Sequence, residues 1–325
     1  MSAGIWRRRT LYWSTEALID IRQDVAGANS INRSVDQYIN RSVRQYRTDR
    51  FLAVGGHPWS VRRFDAEYLE ATRRGMWADS RAALTDLDLE RRERVLDVGC
   101  GTGELTRVLR EESDTEVVGA DVDPAMLSAA RAVAPVVRAD ATDLPLRDGA
   151  FDLVVCQALL INLPDPVAAV REFARVSSGL VAAVEPDNSA VEVDSTVDRE
   201  ASLARRARER FLDGVETDVA LGADVADVFE DAALEVVSTR RYDHQRTTEP
   251  PYSEAAVEAA RRKVTGDGLA DDRETMLAGD TSEEAYEKLW SDWRSMGREV
   301  VDQMGEREYE RRERVPFFVT VGRVG

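Results

Sequence analysis

Three alternating glycines stand where a short apolar run gives way to a helical pattern. The run is RVLDV, residues 94–98, and the glycines lie within Gly99–Gly103. A strand, a glycine-rich turn and a helix N-terminus, in that order, form a place where a ligand can lie against bare backbone. A dinucleotide site would need a third glycine at the position of Glu104. Because Asp97 and Glu104 would repel a pyrophosphate, the turn better suits a ligand with a cationic amino group.

A carboxylate follows each of the next two apolar runs. The run EVVGA, residues 116–120, ends at Asp121, where a carboxylate can accept hydrogen bonds from both hydroxyls of a ribose. Asp123 precedes a proline and fits the N-cap of the next helix, which leaves Asp121 available for a ligand. Asp140 follows the third run and is succeeded by Ala141. The sequence therefore predicts polar groups at the ends of three successive strands.

A fourth motif completes an ordered series, since Phe151-Asp152 begins the next apolar run. In this order and spacing the sequence resembles the class I S-adenosylmethionine-dependent methyltransferases, most closely the subgroup labelled methyltransferase type 11. The resemblance covers about residues 90–187. It implies an enzyme that uses S-adenosyl-L-methionine as its methyl donor, with no metal site.

The resemblance also implies a role for each residue of the donor site. The implied set is Asp97, Gly99, Cys100, Gly101 and Gly103 for the methionine part, Asp121 for the ribose hydroxyls, Val122 packed on the adenine, Asp140 and the Ala141 amide on the adenine edge, and Gln157 beside the methyl group.

Candidates for a proton acceptor are few, because the chain has only two histidines. His244 is expected in a loop after the sixth strand, at the carboxyl end of the sheet, with Tyr242 close by. Asn162 occupies a place where the resembling subgroup often has a histidine, and His57 lies just before the helical entry to the domain. These four are the candidate catalytic residues. Alignment alone can supply about 7–11 kcal/mol of the barrier, so methyl transfer from a sulfonium does not require a dedicated base.

The elements that must position these residues follow from the spacing of the apolar runs. Seven runs are predicted strands, and the first five are apolar throughout, which indicates a parallel sheet covered on both faces. The strands are expected at residues 94–98, 116–120, 135–138, 151–156, 179–184, 234–240 and 315–323, and helices at 104–111, 124–133, 166–176, 199–212 and 223–232. With the resemblance, this predicts an α/β fold: a doubly wound, mostly parallel, seven-stranded Rossmann-like methyltransferase sheet with a helical insertion before the last strand.

The predicted insertion covers residues 251–312 and divides the methyltransferase domain into 51–250 and 313–325. Its clearest helix follows Thr281–Ser282, with two acidic residues in the first turn and one apolar face. That face has two interpretations. It packs on the sheet domain as core, or it belongs to a lid whose aromatic side chains line an apolar acceptor pocket.

Residues 1–50 differ from the rest, with nine arginines against five acidic residues. Within them INRSVDQY (31–38) is followed at once by INRSVRQY (39–46). An eight-residue period matches no stacking repeat architecture, and two copies cannot build a core. The segment is interpreted as a basic N-terminal appendage, either disordered or encoded upstream of the true start, and alternatively as an arm that contacts a partner.

The chain as a whole is acidic, with 44 basic and 61 acidic residues and a net charge of −17. Lys263 and Lys288 are its only lysines. This composition indicates a halophilic-type surface suited to a high-salt cytoplasm, or alternatively a GC-rich genome. An acidic surface repels phosphate backbones, which disfavours nucleic-acid partners. Two cysteines and no 18-residue apolar run favour a cytoplasmic location without a membrane span.

The leading functional prediction is a methyltransferase that acts on a small-molecule or lipid-like acceptor. The alternatives are a tRNA or rRNA methyltransferase that uses the basic first 50 residues, and a regulatory module that binds the donor without turnover. A nicotinamide-dependent oxidoreductase shares the carboxylate after the second strand but conflicts with Glu104. The sequence does not specify the acceptor or the oligomeric state.

Overall fold

The computed structural model describes residues 76–79 and 81–325. The expectations for residues 1–50 and for His57 lie outside these described residues and stay predictions.

The centre of the fold is one mixed sheet, in which the described residues contribute eight strands. The strands are β1 (Arg94–Val98), β2 (Glu116–Asp121), β3 (Val136–Arg138), β4 (Phe151–Gln157), β5 (Ser177–Pro186), β6 (Glu192–Ser195), β7 (Glu235–Thr248) and β8 (Arg311–Arg323). The first five pair in the order β3-β2-β1-β4-β5, and all are parallel. β8 is antiparallel to its neighbours: it pairs with β7 along one edge and with β5 and then β6 along the other. The predicted α/β fold with a mostly parallel sheet is confirmed, and the short strand β6 is an addition to the seven expected strands.

Ten α-helices lie within the described residues. They are α1 (Met76–Asp79), α2 (Glu104–Glu111), α3 (Pro124–Ala130), α4 (Pro166–Val176), α5 (Glu200–Gly214), α6 (Val225–Asp231), α7 (Glu254–Thr265), α8 (Asp267–Asp271), α9 (Arg273–Ala278) and α10 (Glu283–Glu306). Short 3-10 segments include Arg81–Leu87 and Leu160–Asn162. Asp123 caps α3 by accepting the Ala125 amide at 2.8 Å, as the sequence predicts.

The central strands are buried because the sheet is covered on both faces. On β4, the apolar side chains of Leu153, Val154 and Val155 have no exposed surface, although successive residues of a strand point to opposite faces. One face packs against α2 and the 3-10 segment Arg81–Leu87. The other packs against α4, whose Phe173 is fully buried. This packing on both faces holds the strands in place, and with them the side chains at the ends of the strands.

Most residues between β7 and β8 are helical, and these helices pack together with α5. The apolar face of α10 packs with α5, α7, α8 and α9 in a cluster distinct from the core beneath the sheet. We call α5 and α7–α10 the cap. The expectation that this face packs on the sheet domain as core is wrong, because the β7–β8 ribbon extends past the end of β5 and carries the helices beyond the sheet. In the part of the chain that the structure describes, no helix is both long and apolar enough to cross a bilayer.

Candidate functional site

The carboxyl ends of β1, β2 and β3 meet at one edge of the sheet. The three strands are parallel neighbours, with Asp97 opposite Gly119 and Asp121 opposite Arg138. Asp140 follows β3 by two residues. The three aspartates that the sequence singles out are therefore brought to the same edge, each at or just past the end of its strand.

The turn between β1 and α2 presents backbone rather than side chains. Gly99, Gly101 and Gly103 have φ values of +70°, +54° and +88°, a region that residues with a Cβ rarely adopt. The amide of Gly99 also donates to the Ala120 carbonyl at 2.7 Å, which ties the turn to the end of β2. α2 starts directly after Gly103, so the turn leads to a helix N-terminus that attracts negative charge.

Asp121 joins the end of β2 to this turn. Its Oδ2 accepts the Gly101 amide at 2.9 Å, and its Oδ1 accepts the Asp123 amide at 2.8 Å. Each carboxylate oxygen has a second lone pair, so the half-buried side chain can still accept from a ligand. The next residue, Val122, is an unusually exposed apolar side chain, with 43% of its surface accessible. The geometry places an acceptor for hydroxyl groups beside an open apolar surface.

Asp97 and Cys100 are buried beneath the turn. The carboxylate of Asp97 accepts the Thr106 hydroxyl at 2.5 Å, which holds the first turn of α2 against β1. The Cys100 sulfur packs so closely on β2 that a Cβ at Gly119 would lie 2.8 Å from it. Cys100 therefore contributes packing through its side chain, and its amide donates to the Ala120 carbonyl at 3.0 Å.

The loop after β3 is shaped by the side chain of Asp140. Its Oδ1 accepts both the backbone amide and the hydroxyl of Thr142, at 2.9 and 2.8 Å. The half-buried Ala141 lies between them in the chain. This local turn fixes the backbone that follows β3 at the same sheet edge.

Gln157 ends β4 and is covered by α1. Its Oε1 accepts the indole Nε1–H of Trp77 at 3.3 Å, and its Nε2 lies 3.1 Å from the Met76 sulfur. All three side chains are buried. The sequence did not single out Trp77, although a tryptophan in a short amphipathic stretch ahead of the first strand was a signal that could have done so.

His244 does not lie in a loop, and that expectation is wrong. It lies inside β7, opposite Val315 of β8, with 6% of its surface exposed. Its ring meets the edge of Phe317 at 6.4 Å between centroids. The physical reason is that β8 pairs with β7 as far as Thr248, which extends this strand eight residues beyond the expected end.

Tyr242 and Asn162 use their polar atoms to hold backbone. The Tyr242 hydroxyl donates to the Ala82 carbonyl at 3.3 Å. The Asn162 Nδ2 donates to the Ala158 carbonyl at 2.9 Å, which closes the loop after β4. These contacts give Tyr242 and Asn162 structural roles, and a catalytic role for either residue stays a prediction.

A buried charged chain links the cap to the β7–β8 ribbon. Glu200 of α5 lies 2.5 Å from the Lys263 ammonium and 3.2 Å from the Arg311 guanidinium, and Glu313 then bridges Arg311 to Arg246. Glu200 is 1% exposed. Burial alone would raise the pKa of Glu200, but Lys263 and its other partners lower it, so the carboxylate stays charged. Nothing in the sequence indicates this network apart from the rarity of lysine.

Among residues 76–79 and 81–325, no group of three or more histidine, cysteine or acidic side chains is arranged to hold an ion.

Comparison with known proteins finds relatives of the part of the chain that runs from β1 into β5. Residues 96–182 match the family model described as a methyltransferase domain. The demethylmenaquinone methyltransferase of Thermus thermophilus is 41% identical over 105 residues, which are 30% of this chain and 48% of that protein. The chloroplastic tocopherol O-methyltransferase of Arabidopsis thaliana is 34% identical over 130 residues, 37% of each chain. The chain thus spans less than half the length of these curated relatives.

Among solved structures, the chain is similar to that of a candidate methyltransferase from Bacillus halodurans, with a TM-score of 0.46 and 18% identity, and the match covers 76% of this chain and 98% of that one.

Proposed function

We propose that this protein is a class I S-adenosylmethionine-dependent methyltransferase, which transfers a methyl group to a small-molecule or lipid-like acceptor. Residues 96–182 match the family model described as a methyltransferase domain, and the curated relatives are named as methyltransferases. The observation that carries the proposal is the bare glycine turn, pinned by the Asp121 carboxylate, at the carboxyl end of the sheet.

The residues present fit this donor. A Cβ at Gly99 would lie 2.9 Å from Leu159, so the turn leaves no room for side chains of its own. Asp121 keeps acceptor capacity for the ribose hydroxyls, and the exposed Val122 offers a surface for the adenine. Asp140 and the Ala141 amide are proposed to bind the adenine edge. These assignments carry over the family roles, and the positions of the residues support them.

In this proposal the bound donor would supply a methyl carbon activated by a sulfonium. A lone pair of the acceptor atom would bond to that carbon as the carbon–sulfur bond breaks, the bonding pair would stay on sulfur to leave S-adenosylhomocysteine, and a proton carried by the acceptor atom would pass to solvent. The chain's contribution is alignment. The glycine turn and Asp121 orient the donor, and Gln157, fixed by Trp77, borders the methyl position. Alignment of this kind can lower the barrier by about 7–11 kcal/mol, which is why no dedicated base is assigned.

The cap supports a small or lipid-like acceptor. Its cluster includes partly buried aromatic side chains, among them Phe211, Trp290 and Trp293. We propose that it acts as the lid of the acceptor pocket. The two curated relatives named above act, by their names, on demethylmenaquinone and tocopherol. A net charge of −17 disfavours a nucleic-acid acceptor.

Titration calorimetry with S-adenosylhomocysteine tests the proposal. The wild type is expected to bind, and Asp121→Ala and Gly101→Val are expected to lose binding, because the first removes the hydroxyl acceptor and the second places a branched side chain at φ +54°. Asp165→Ala is the matched control: it removes a capping carboxylate from α4, where Asp165 accepts the Ala168 amide, and it should leave binding intact. Absence of binding to the wild type would refute the proposal.

A further inference from the structure

A buried carboxylate, Glu185, lies one residue before the end of β5, beside the loop that leaves β4. Glu185 has no exposed surface, and its Oε1 accepts the amide of Leu159 at 3.0 Å and that of Leu160 at 2.9 Å. The Cys156 thiol also donates toward Oε1, at 3.7 Å. Burial, followed by the nearby Glu185 charge, raises the pKa of this thiol well above its usual range, so it stays a donor. One carboxylate thus fixes the start of the post-β4 loop, residues 158–162.

This loop is held in a strained conformation. Ala158 has φ +49°, in the left-handed region that a residue with a Cβ adopts only at a cost in free energy. Its amide donates to the Val184 carbonyl at 2.9 Å, and its carbonyl accepts from Asn162 at 2.9 Å. Such strain persists only where the surroundings over-determine it. Glu185 accepts two of the hydrogen bonds that hold this conformation, from the amides of the two residues that follow Ala158.

The loop reaches the donor turn through Leu159. The Leu159 side chain packs so tightly on Gly99 that a Cβ there would lie 2.9 Å from it. On its other side the loop begins directly after Gln157, the residue proposed to border the methyl group. The position of Glu185 is therefore linked through this loop to both the Gly99 turn and Gln157.

We infer that Glu185 is a positioning residue for methyl transfer: by holding the amides of Leu159 and Leu160, it keeps the strained loop against the Gly99 turn. This inference rests on the proposed function. It assigns a role to a residue that lies outside the family motifs identified in the sequence.

The test compares S-adenosylhomocysteine affinity in three variants by calorimetry. Glu185→Met removes the acceptor and should raise the Kd by at least about 10-fold, the lower end of what loss of a charged hydrogen-bond acceptor costs. Glu185→Gln keeps an acceptor oxygen of the same reach and should stay within about threefold of the wild type. Glu200→Met is the matched control, since it removes an equally buried carboxylate from the cap and should change the Kd by less than about twofold.

A rescue separates positioning from a general loss of structure. Glycine adopts φ +49° without strain, so Ala158→Gly makes the loop conformation easier to reach. Adding Ala158→Gly to Glu185→Met should recover at least about threefold in affinity, because the apparent affinity follows the fraction of protein in the competent conformation. A role limited to core stability predicts no recovery.

Hydrogen exchange of the ligand-free protein supplies a readout independent of the donor. Glu185→Met should speed exchange in residues 157–163 and 98–104, and Glu200→Met should not. If the wild type fails to bind S-adenosylhomocysteine, the proposed function falls and the inference falls with it. If the wild type binds and Glu185→Met binds equally well, only the inference is overturned. Should Glu185→Met fail to fold, Glu185→Asp, one methylene short of the two amides, replaces it with the same expectations.

Discussion

The buried ion pair between cap helices α5 and α7 yields a quantitative prediction for stability. Lys263 donates to Glu200 at 2.5 Å and to the Tyr309 hydroxyl at 3.0 Å. Removing one partner of a buried pair costs about 3–5 kcal/mol when the other charge is left alone. In Lys263→Met the carboxylate would keep Arg311 at 3.2 Å and the Ser195 hydroxyl at 2.6 Å. We therefore expect a loss of about 2–3 kcal/mol in the free energy of unfolding.

The chain offers a matched control because its only other lysine is exposed. Lys288 has 71% of its side chain accessible and pairs with Asp292 one helical turn away, at 3.4 Å. Lys288→Met should change the free energy of unfolding by no more than about 0.5 kcal/mol. Urea unfolding followed by tryptophan fluorescence measures both variants, since Trp290 and Trp293 belong to the cap cluster. Equal losses for the two variants would refute the reasoning.

A double-mutant cycle isolates the pair. Glu200→Gln leaves a buried ammonium without its carboxylate, whereas the double variant Glu200→Gln/Lys263→Met removes both charges. The double variant should be less destabilised than the sum of the single ones, by about 1–3 kcal/mol. Additive losses would show that the two side chains do not stabilise each other.

The pH dependence has a defined sign. Because the folded protein lowers the pKa of Glu200, this group stabilises the fold above its unfolded pKa of about 4.3. That contribution is lost as the pH falls through the lower, folded value. The difference in unfolding free energy between the wild type and Glu200→Gln should therefore be constant near neutral pH and shrink in acid. A difference that grows as the pH falls would contradict the assignment.

Three further predictions concern the donor site and the surface. Trp77→Phe keeps the packing but removes the hydrogen bond to Gln157, so S-adenosylhomocysteine affinity measured by calorimetry should fall by about 3–10-fold with little change in folded content. Val122→Asp lies on an exposed surface and should leave the melting temperature unchanged while lowering that affinity by at least about 10-fold, because it puts a charge where the adenine is proposed to pack. If the acidic composition reflects a high-salt cytoplasm, thermal unfolding should shift to lower temperature as NaCl is reduced from about 2 M to 0.05 M; indifference to salt would contradict that interpretation.

The sequence predicts the donor half of the fold closely. β1 and α2 begin and end where expected, and the bounds of the other predicted strands and helices differ by at most four residues, apart from the end of β7. The reason is local: buried parallel strands are short and apolar throughout, and Asp, Gly and Pro mark the turns between them. The alternating glycines predict a tight turn because glycine can adopt positive φ values that other residues rarely adopt, and this property does not depend on distant parts of the chain.

The end of β7 was missed for a different reason. Its second half, RYDHQRTT, has no apolar run, so nothing in its composition marks a strand. The segment is extended because β8 pairs with it residue by residue, from Arg241 opposite Phe318 to Thr248 opposite Arg311. Pairing of this kind depends on a partner about seventy residues away, and a local pattern does not reveal it.

Buried charges were missed because their environment is not local either. Glu185 and Glu200 are ordinary glutamates in the sequence, and each is buried only because donors from distant segments surround it. The candidate site residues that the family motifs indicate lie at the expected sheet edge. The buried charged residues that support the fold around them are recognised only from the structure.

The pairing of Thr248 with Arg311 has a consequence for how this molecule can diversify. The chain leaves β7 at Thr248 and enters β8 at Arg311, and these two residues pair with each other. The two ends of the segment that contains α7–α10 are therefore already adjacent. Because the entropy cost of closing a loop depends only weakly on its length, a longer or shorter segment between β7 and β8 would change the stability little. Evolution or engineering can therefore exchange helices α7–α10, part of the proposed lid, while the sheet edge proposed to bind the donor, built from β1 to β3, is left untouched.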